Sequence, residues 1–393
     1  MTRPLLQLPN EGLGYPIIAS VSGGKDSTAL ILALREALDA GTIAPSTVVH
    51  YVFADTGWEA DDTYEYLNSL VHRLGIVIDR VGAVGGMVAR IRHRAGFPGR
   101  TGRFCTRELK IEPLRGYHDK IMAEFDVDDT VSAIGVRASE SEPRSRMPEW
   151  SDEGPRFTRD RWGGYVWRPL LQWTIEDVLL IHRRHGVPVN PLYQQGHERV
   201  GCYPCIFAGK EEIRLIAKNA PTRIDRIREL EHEMVDLRRQ RNEEQPGRYA
   251  WPDDATFFQT RNGRRKLLCR VEHDDTPCSK CGVLRCKTVA CLESPDGDHE
   301  YPPYHFEPFG DGCETVRGLV NHTPMRIDDI VAWARTDDGG KQMPIFEPAP
   351  RGGCMRWGLC EMPEDVHTAL DAYEDGRSTE ARQLLADSGW KAK

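Results

Sequence analysis

The sequence predicts an α/β fold with a doubly wound parallel sheet, on two observations. Short β-branched, apolar runs alternate with stretches of helical periodicity through the first part of the chain, and alternating strands and helices imply a parallel sheet. The first of those runs empties into two glycines and then directly into a helical stretch, the strand–loop–helix arrangement of nucleotide-binding sheets.

In chain order, Tyr15 to Val21 reads as the first strand, Ser22 to Ser27 as a tight loop, and Thr28 to Ala40, rich in Leu, Ala and Ile, as a helix. Thr47 to Ala54 gives a second strand, Asp61 to Leu74 a helix, Ile76 to Val81 a third strand and Gly86 to Arg94 another helix. A helix from Glu108 to Phe125 and a fourth strand from Thr130 to Val136 follow, with right-handed crossovers as the default. Glu140 to Gly164 reads as one long loop of the kind that covers substrates. Thr174 is placed to cap the next helix, with Asp177 in its first turn. Pro221 to Glu244 is a charged helix with Ile224, Ile227, Leu230, Met234 and Leu237 on one buried face. The expected organisation is a nucleotide-binding-type domain over 1–218, a charged helical extension over 219–245 and a Cys-rich region over 246–393, with a last helical stretch from about Pro363 to Ala386.

At 393 residues the chain exceeds the usual single domain, and 39% apolar with 28% charged residues is ordinary for a globular protein. No apolar stretch reaches the roughly 18 residues of a membrane span, and Met1 to Pro9 has no leader-like run, so the expected compartment is the cytoplasm and no membrane partner is expected. Eleven cysteines, mostly in close pairs, favour metal ligation or thiol chemistry over structural disulfides. A net charge of −8 argues against the whole surface acting as a nucleic-acid binder. Between Gly86 and Arg115, however, Arg90, Arg92, Arg94, Arg100, Arg103, Arg107, Lys110 and Arg115 face only Glu108 and Glu112 in the sequence, so this segment either meets an anionic ligand or is a solvated basic face.

Where a strand empties into a helix through Gly23 and Gly24, unpaired backbone N–H groups collect at the positive end of the helix dipole, roughly half an elementary charge. The glycines let a phosphate approach the backbone, Ser22 and Ser27 add hydroxyl donors, Lys25 a full charge and Asp26 a carboxylate. The spacing is shorter than that of the Walker loop. Asp55, at the end of the second strand, either contacts ribose or adenine or caps the helix after it. Arg137, at the end of the fourth strand, suits bidentate contact with phosphate or sulfate.

These segments, in this order, resemble the phosphoadenosine phosphosulfate (PAPS) reductase family within the PP-loop (N-type ATP pyrophosphatase) superfamily. The likeness rests on Ser22-Gly23-Gly24-Lys25-Asp26-Ser27; Phe53-Ala54-Asp55-Thr56-Gly57 with Glu59 and Thr63-Tyr64; Cys105-Thr106 through Leu109-Lys110; Gly135-Val136-Arg137 with Glu140-Ser141 and Arg144; and Arg168-Pro169-Leu170 through Pro188-Val189-Asn190-Pro191-Leu192-Tyr193. It covers residues 15 to about 218. The resemblance implies an adenine nucleotide, ATP or PAPS, gripped by the Ser22–Ser27 loop with its adenosine toward Asp55, Mg2+ on its phosphates, and Lys25, Asp26 and Arg137 as the reacting residues.

Cys202-Tyr203-Pro204-Cys205 is the sharpest metal signal, since a C-x-x-C can aim two thiolates at one ion or cluster edge. The resemblance adds Cys105 and implies a [4Fe–4S] cluster on Cys105, Cys202 and Cys205, with Cys269 the first candidate for the fourth ligand; zinc, a redox dithiol and inert thiols are the alternatives. Cys278, Cys281, Cys286 and Cys291 have the spacing of a separate Zn2+ or cluster site, most simply a structural zinc knuckle.

The family's reductases carry a nucleophilic cysteine in a Glu-Cys-Gly-Leu-His type tail, which these residues do not contain; Cys354 and Cys360 have different surroundings. The expected reaction is therefore ATP-dependent, pyrophosphate-releasing sulfur transfer or adenylation of a nucleic-acid or small-molecule acceptor, as in the DNA phosphorothioation and tRNA thiolation enzymes that resemble this plan, with a sulfur donor protein as a further partner. PAPS or APS reduction and a non-catalytic nucleotide-binding module with a zinc-stapled tail are the alternatives.

Overall fold

The computed structural model describes residues 4–99, 102–152, 164–245, 255–258, 261–269, 305–308, 313–336 and six helical positions between 368 and 384. Cys278, Cys281, Cys286, Cys291, Cys354 and Cys360 lie outside the described residues, as does Arg100.

A six-stranded sheet has the order β3-β2-β1-β4-β6-β5, where β1 is Ile17–Val21, β2 Val49–Ala54, β3 Ile78–Val81, β4 Val131–Ile134, β5 Trp150–Ser151 and β6 Tyr165–Trp167. All pairings are parallel except the β5–β6 edge. Central β1 is buried on both faces, as a parallel strand covered by helices must be. Ile17, Ala19 and Val21 face a core that includes α1 (Lys25–Asp39) and α2 (Asp61–Leu74), whereas Ile18 and Val52 face Tyr117 and Ile121 on the other side.

After β3 come α3 (Gly86–Arg94), α4 (Phe104–Thr106), a π-helical turn at Arg107–Ile111 and α5 (Glu112–Phe125), which carries Tyr117 and Ile121. The expected long loop after β4 is instead divided. It holds a 3-10 turn at Ala138–Glu140, α6 (Glu142–Ser145) and the edge strand β5; these pieces are too short to leave a periodic signal.

Next come α7 (Ile175–Arg184), α8 (Pro191–Gln194), α9 (Lys210–Asn219) and α10 (Pro221–Glu244). Thr174 caps α7 as its sequence predicts: its hydroxyl accepts from Asp177 N at 3.3 Å while its own N–H donates to Asp177 Oδ2 at 2.7 Å. A separate antiparallel sheet, in the order β7-β9-β8, is formed by β7 (Arg261–Cys269), β8 (His305–Pro308) and β9 (Cys313–Pro324). α11 (Ile327–Ala334) then rests on α9 and α10.

On α10 the expected apolar face is buried at Ile224, Ile227, Leu230 and Met234, but Glu231 is buried with it, only 1% exposed. Its Oε1 accepts from Phe257 N at 2.9 Å and its Oε2 from Ile327 N at 3.0 Å, so one carboxylate fastens two distant segments to α10. Burial pushes this carboxyl up to about 7, against the pull of the two amide donors.

Glu231→Ala should strand both buried N–H groups and lower stability by about 2–5 kcal/mol in chemical denaturation. The raised folded value also fixes a sign: Glu231's contribution is fully present below its unfolded pKa and is lost as pH rises through about 7, a decline that the alanine variant should lack.

Candidate functional site

In an open α/β sheet the ligand crevice lies at the C-terminal strand ends where the strand order reverses, here between β1 and β4. The Ser22–Ser27 loop follows β1, and Gly135 to Arg137 follow β4. The two meet closely, since a Cβ on Gly135 would lie 2.7 Å from the Asp26 carbonyl oxygen.

The loop is shorter than the sequence indicates, because α1 begins at Lys25 rather than Thr28 and puts Lys25, Asp26 and Ser27 in its first turn. Its N-cap, Gly24, makes no side-chain cap, and the Lys25 amide at N1 donates instead to the Tyr193 hydroxyl. Gly23 has φ +73°, the left-handed region that favours glycine, and a Cβ there would meet Thr63 Cγ2 at 2.8 Å. Ser27 knits the turn together: its hydroxyl accepts from Ser22 N at 3.1 Å and donates to the Gly24 carbonyl at 2.9 Å.

The electrostatic centre is a buried triad. Asp26 lies between Lys25, whose Nζ is 3.3 Å from Oδ2, and Arg137, whose Nε is 2.5 Å from Oδ1. Burial works against the Asp26 carboxylate, but Lys25 and Arg137 outweigh it and hold its pKa below the usual range. Burial likewise opposes the Lys25 charge, and Tyr193 and Asp26 outweigh it and raise its pKa. Within the triad two cations flank one carboxylate, so its own formal charge is positive beside the loop amides. Arg137, only 4% exposed, also donates from Nη1 to Ser139 at 3.0 Å, so part of its guanidinium is committed within the protein.

Residues that sequence reasoning left without a role hold this turn. Asn190 donates to the Gly23 carbonyl at 3.1 Å, the Tyr193 hydroxyl accepts from Lys25 N at 3.3 Å, and Lys25 Nζ lies 4.9 Å above the Tyr193 ring. Asn190 and Tyr193 stand within a motif already visible in the sequence, but their contacts depend on the return of the chain about 167 residues later. Asp55 is engaged locally, with Oδ1 accepting from Gly57 N at 2.9 Å and from the Tyr64 hydroxyl at 2.8 Å.

Of the predicted ligands, Cys205 comes near both Cys105 and Cys202 beside the same crevice, whereas Cys269 lies in the separate β7-β9-β8 sheet. Cys105 lies in α4, and Cys202 pairs with Glu59 in an isolated bridge, bringing its loop to the segment after β2. Val200, two residues earlier, is 3.9 Å from where a Cβ on Gly24 would be, so the cysteine loop starts against the cradle. Cys205 interacts electrostatically with both Cys105 and Cys202. The π-helical turn places Leu109 in the core and brings Lys110 to Cys202, Cys205 and Glu59. Burial pushes the Cys202 and Cys105 thiols up, with Lys110 favouring their thiolates. For Lys110 itself, burial works against the charge and Cys202 and Glu59 outweigh it, so the ammonium persists.

Glu59, 2% exposed, accepts from the Thr56 hydroxyl at 2.6 Å and from Thr56 N and Trp58 N, both at 3.2 Å. Among the described residues no group of three or more His, Cys, Asp or Glu side chains is arranged to hold a metal ion. Cys269 ends β7, opposite Cys313 of β9 in the backbone register.

Four arginines of the basic segment are paired: Glu108 meets Arg90 and Arg94, Glu233 meets Arg92 and Glu112 meets Arg107, Glu233 being the one carboxylate contributed from outside the segment. A cleft of about 850 Å³ opens near the start of α2, lined by residues that include Asp61, Asp62, Tyr203, Lys218 and Arg223, with none from the phosphate loop. Among the described residues no helix is long and apolar enough to cross a membrane.

Residues 16–208 match the family model described as the phosphoadenosine phosphosulfate reductase domain. An uncharacterized 37.8 kDa protein of Escherichia phage 186 is 34% identical over 303 residues, 65% of this chain and 82% of the phage protein. The adenosine 5'-phosphosulfate reductase of Salinibacter ruber is 30% identical over 168 residues, 42% of this chain, which thus spans 59% of that enzyme. Uncharacterized relatives from Methanocaldococcus jannaschii are matched over 40% and 45% of their own lengths. Among solved structures, the PAPS reductase of Candida auris in a phosphate complex aligns with a TM-score of 0.35 at 17% identity, covering 49% of this chain and 83% of that one.

Proposed function

Because the chain belongs to the phosphoadenosine phosphosulfate reductase domain family, we propose that it is a PP-loop enzyme that binds an adenine nucleotide on the Ser22–Ser27 turn and uses it for sulfur transfer. The observation that carries this reading is the glycine-capped first turn of α1, beside the Lys25–Asp26–Arg137 triad and next to the loop of Cys202 and Cys205. Amide donors and a net positive charge suit the phosphates of ATP, and thiols near the crevice suit sulfur chemistry.

In this reading the acceptor oxygen attacks the α-phosphorus of ATP, the bond to the β-phosphate oxygen breaks, and pyrophosphate leaves. A sulfide nucleophile then attacks the activated carbon, and AMP departs with the former acceptor oxygen. The protein's part is to hold the phosphates on the amides of α1 and to offset charge on the leaving pyrophosphate with Lys25 and Arg137. Mg2+ on the nucleotide would supply further neutralisation.

Cys105, Cys202 and Cys205 are the residues that would hold a [4Fe–4S] cluster, which would give sulfide a binding site. Cys205 lies within electrostatic reach of each of the other two and Lys110 adjoins them; the three thiols would have to converge further to ligate one cluster, and Cys269 is the proposed fourth ligand. The acceptor is a nucleic acid or a small molecule, and the sulfur source is free sulfide or a donor protein.

The second reading is reduction of APS or PAPS, favoured by sequence relatives that are named adenosine 5'-phosphosulfate reductases. The two readings part on the products: sulfur transfer releases pyrophosphate from ATP in an acceptor-dependent manner, whereas reduction takes two electrons from an added dithiol, which is oxidised to a disulfide, releases sulfite with AMP or adenosine 3',5'-bisphosphate from APS or PAPS, and needs no ATP. Anaerobic assays of both products on one preparation decide between them. Release of sulfite with no pyrophosphate would overturn the first reading.

A further inference from the structure

His182 of α7 is fully buried, and both of its ring nitrogens face carbonyl oxygens: Nε2 lies 2.9 Å from the oxygen of Lys25, and Nδ1 lies 2.9 Å from that of Val187. A neutral imidazole has one N–H and one bare nitrogen, so in either tautomer a bare nitrogen opposes a carbonyl lone pair. Only the imidazolium can donate to both oxygens. The two acceptors belong to different parts of the cradle, since Lys25 opens α1 and Val187 begins the segment whose Asn190 and Tyr193 hold the loop.

The charged groups facing His182 are Asp26 and Lys25 of α1, with Arg137 beyond Asp26. On the Val187 side, Tyr66 donates to the Pro188 carbonyl at 2.8 Å. Farther along α1, Glu36 is paired with Arg184 and His185. Burial lowers the pKa of His182 and the Lys25 ammonium adds to it, against the pull of the two carbonyl acceptors and of Asp26. An anion on the loop would reverse that balance.

We infer that His182 is a positioning residue for the phosphate loop, and that binding of a phosphate-bearing anion draws a proton onto its ring, so that both carbonyls are held only in the liganded state. The inference rests on the proposed nucleotide site and extends it to proton-coupled binding. The proton comes from solvent, no bond between heavy atoms changes, and the charge gained on the ring offsets part of the charge brought by the ligand.

The test is calorimetry of Mg–ATP binding to the full chain, in buffers of differing ionisation enthalpy between about pH 6 and 8, where histidines titrate. The parent should take up a fraction of a proton per ATP beyond that of His182→Gln, and His182→Leu should bind ATP about tenfold more weakly. Equal proton uptake by the parent and His182→Gln would overturn the coupling. Parent-like affinity in His182→Leu would make His182 a core residue only.

If the parent bound no ATP or PAPS, the nucleotide reading itself would fail, and His182 would still be judged by amide hydrogen exchange. Faster exchange over the first turn of α1 in His182→Leu supports the brace, and unchanged exchange removes it.

Discussion

Replacing Gly24 with valine is expected to abolish binding of ATP and PAPS while leaving the fold intact. Gly24 has φ −87°, a conformation open to any residue, so the change introduces bulk without backbone strain. A Cβ there would meet the Tyr193 hydroxyl at 3.3 Å, Ser22 Oγ at 3.4 Å and Val200 Cβ at 3.9 Å. The two γ-methyls must then fill the space over the amides or displace Tyr193, which accepts from Lys25 N. Either outcome removes the anion from hydrogen-bonding reach, and an affinity loss beyond about a hundredfold, roughly 2.7 kcal/mol, should appear in calorimetry. Gly23 is a poorer test: its left-handed φ would add about 1–2 kcal/mol of strain to any substitution and mix folding with binding. A Gly24→Val protein that binds either nucleotide as tightly as the parent would show that the cradle is misplaced.

The second large effect is expected at Cys202. If Cys105, Cys202 and Cys205 share one iron–sulfur cluster, Cys202→Ala purified anaerobically should lose most of its iron and its visible absorbance, because a cluster edge left without its thiolate is labile. Nucleotide affinity should stay within about twofold, since the cradle is built from α1 amides and the Lys25–Asp26–Arg137 triad and not from the thiol. The alanine should also release Lys110 from Cys202, leaving Glu59 and Cys205 as its neighbours. Full retention of iron by Cys105→Ala, Cys202→Ala and Cys205→Ala alike would exclude the shared cluster and point to the C-terminal four-cysteine set.

The elements of the sheet were legible because their signals are local. β1 and β2 are β-branched runs with apolar residues on both faces, α1 and α2 repeat at 3.6, and the Gly23–Gly24 pair marks the turn between strand and helix. The order of the family's motifs was likewise a property of the chain, and Cys202-x-x-Cys205 stood out as a close cysteine pair before any fold was known. β5 and β6 were hidden, at two and three residues, because a period of two cannot be read from so short a run.

Which side chain meets which was decided only by the tertiary structure. Asp26 and Arg137 are 111 residues apart and become one buried triad with Lys25, because β1 and β4 lie side by side. His182 reaches the Lys25 carbonyl across 157 residues, because α7 packs on α1. Read along the sequence, Arg90, Arg92, Arg94 and Arg107 formed a basic tract; folding supplied Glu233 from α10 and drew Glu108 and Glu112 onto the others. Glu231 sits on an otherwise apolar helix face, and only the arrival of the Phe257 and Ile327 amides explains a carboxylate there. Periodicity and turn chemistry act over a few residues and are therefore written in sequence, whereas burial and charge pairing depend on neighbours that only the folded chain supplies.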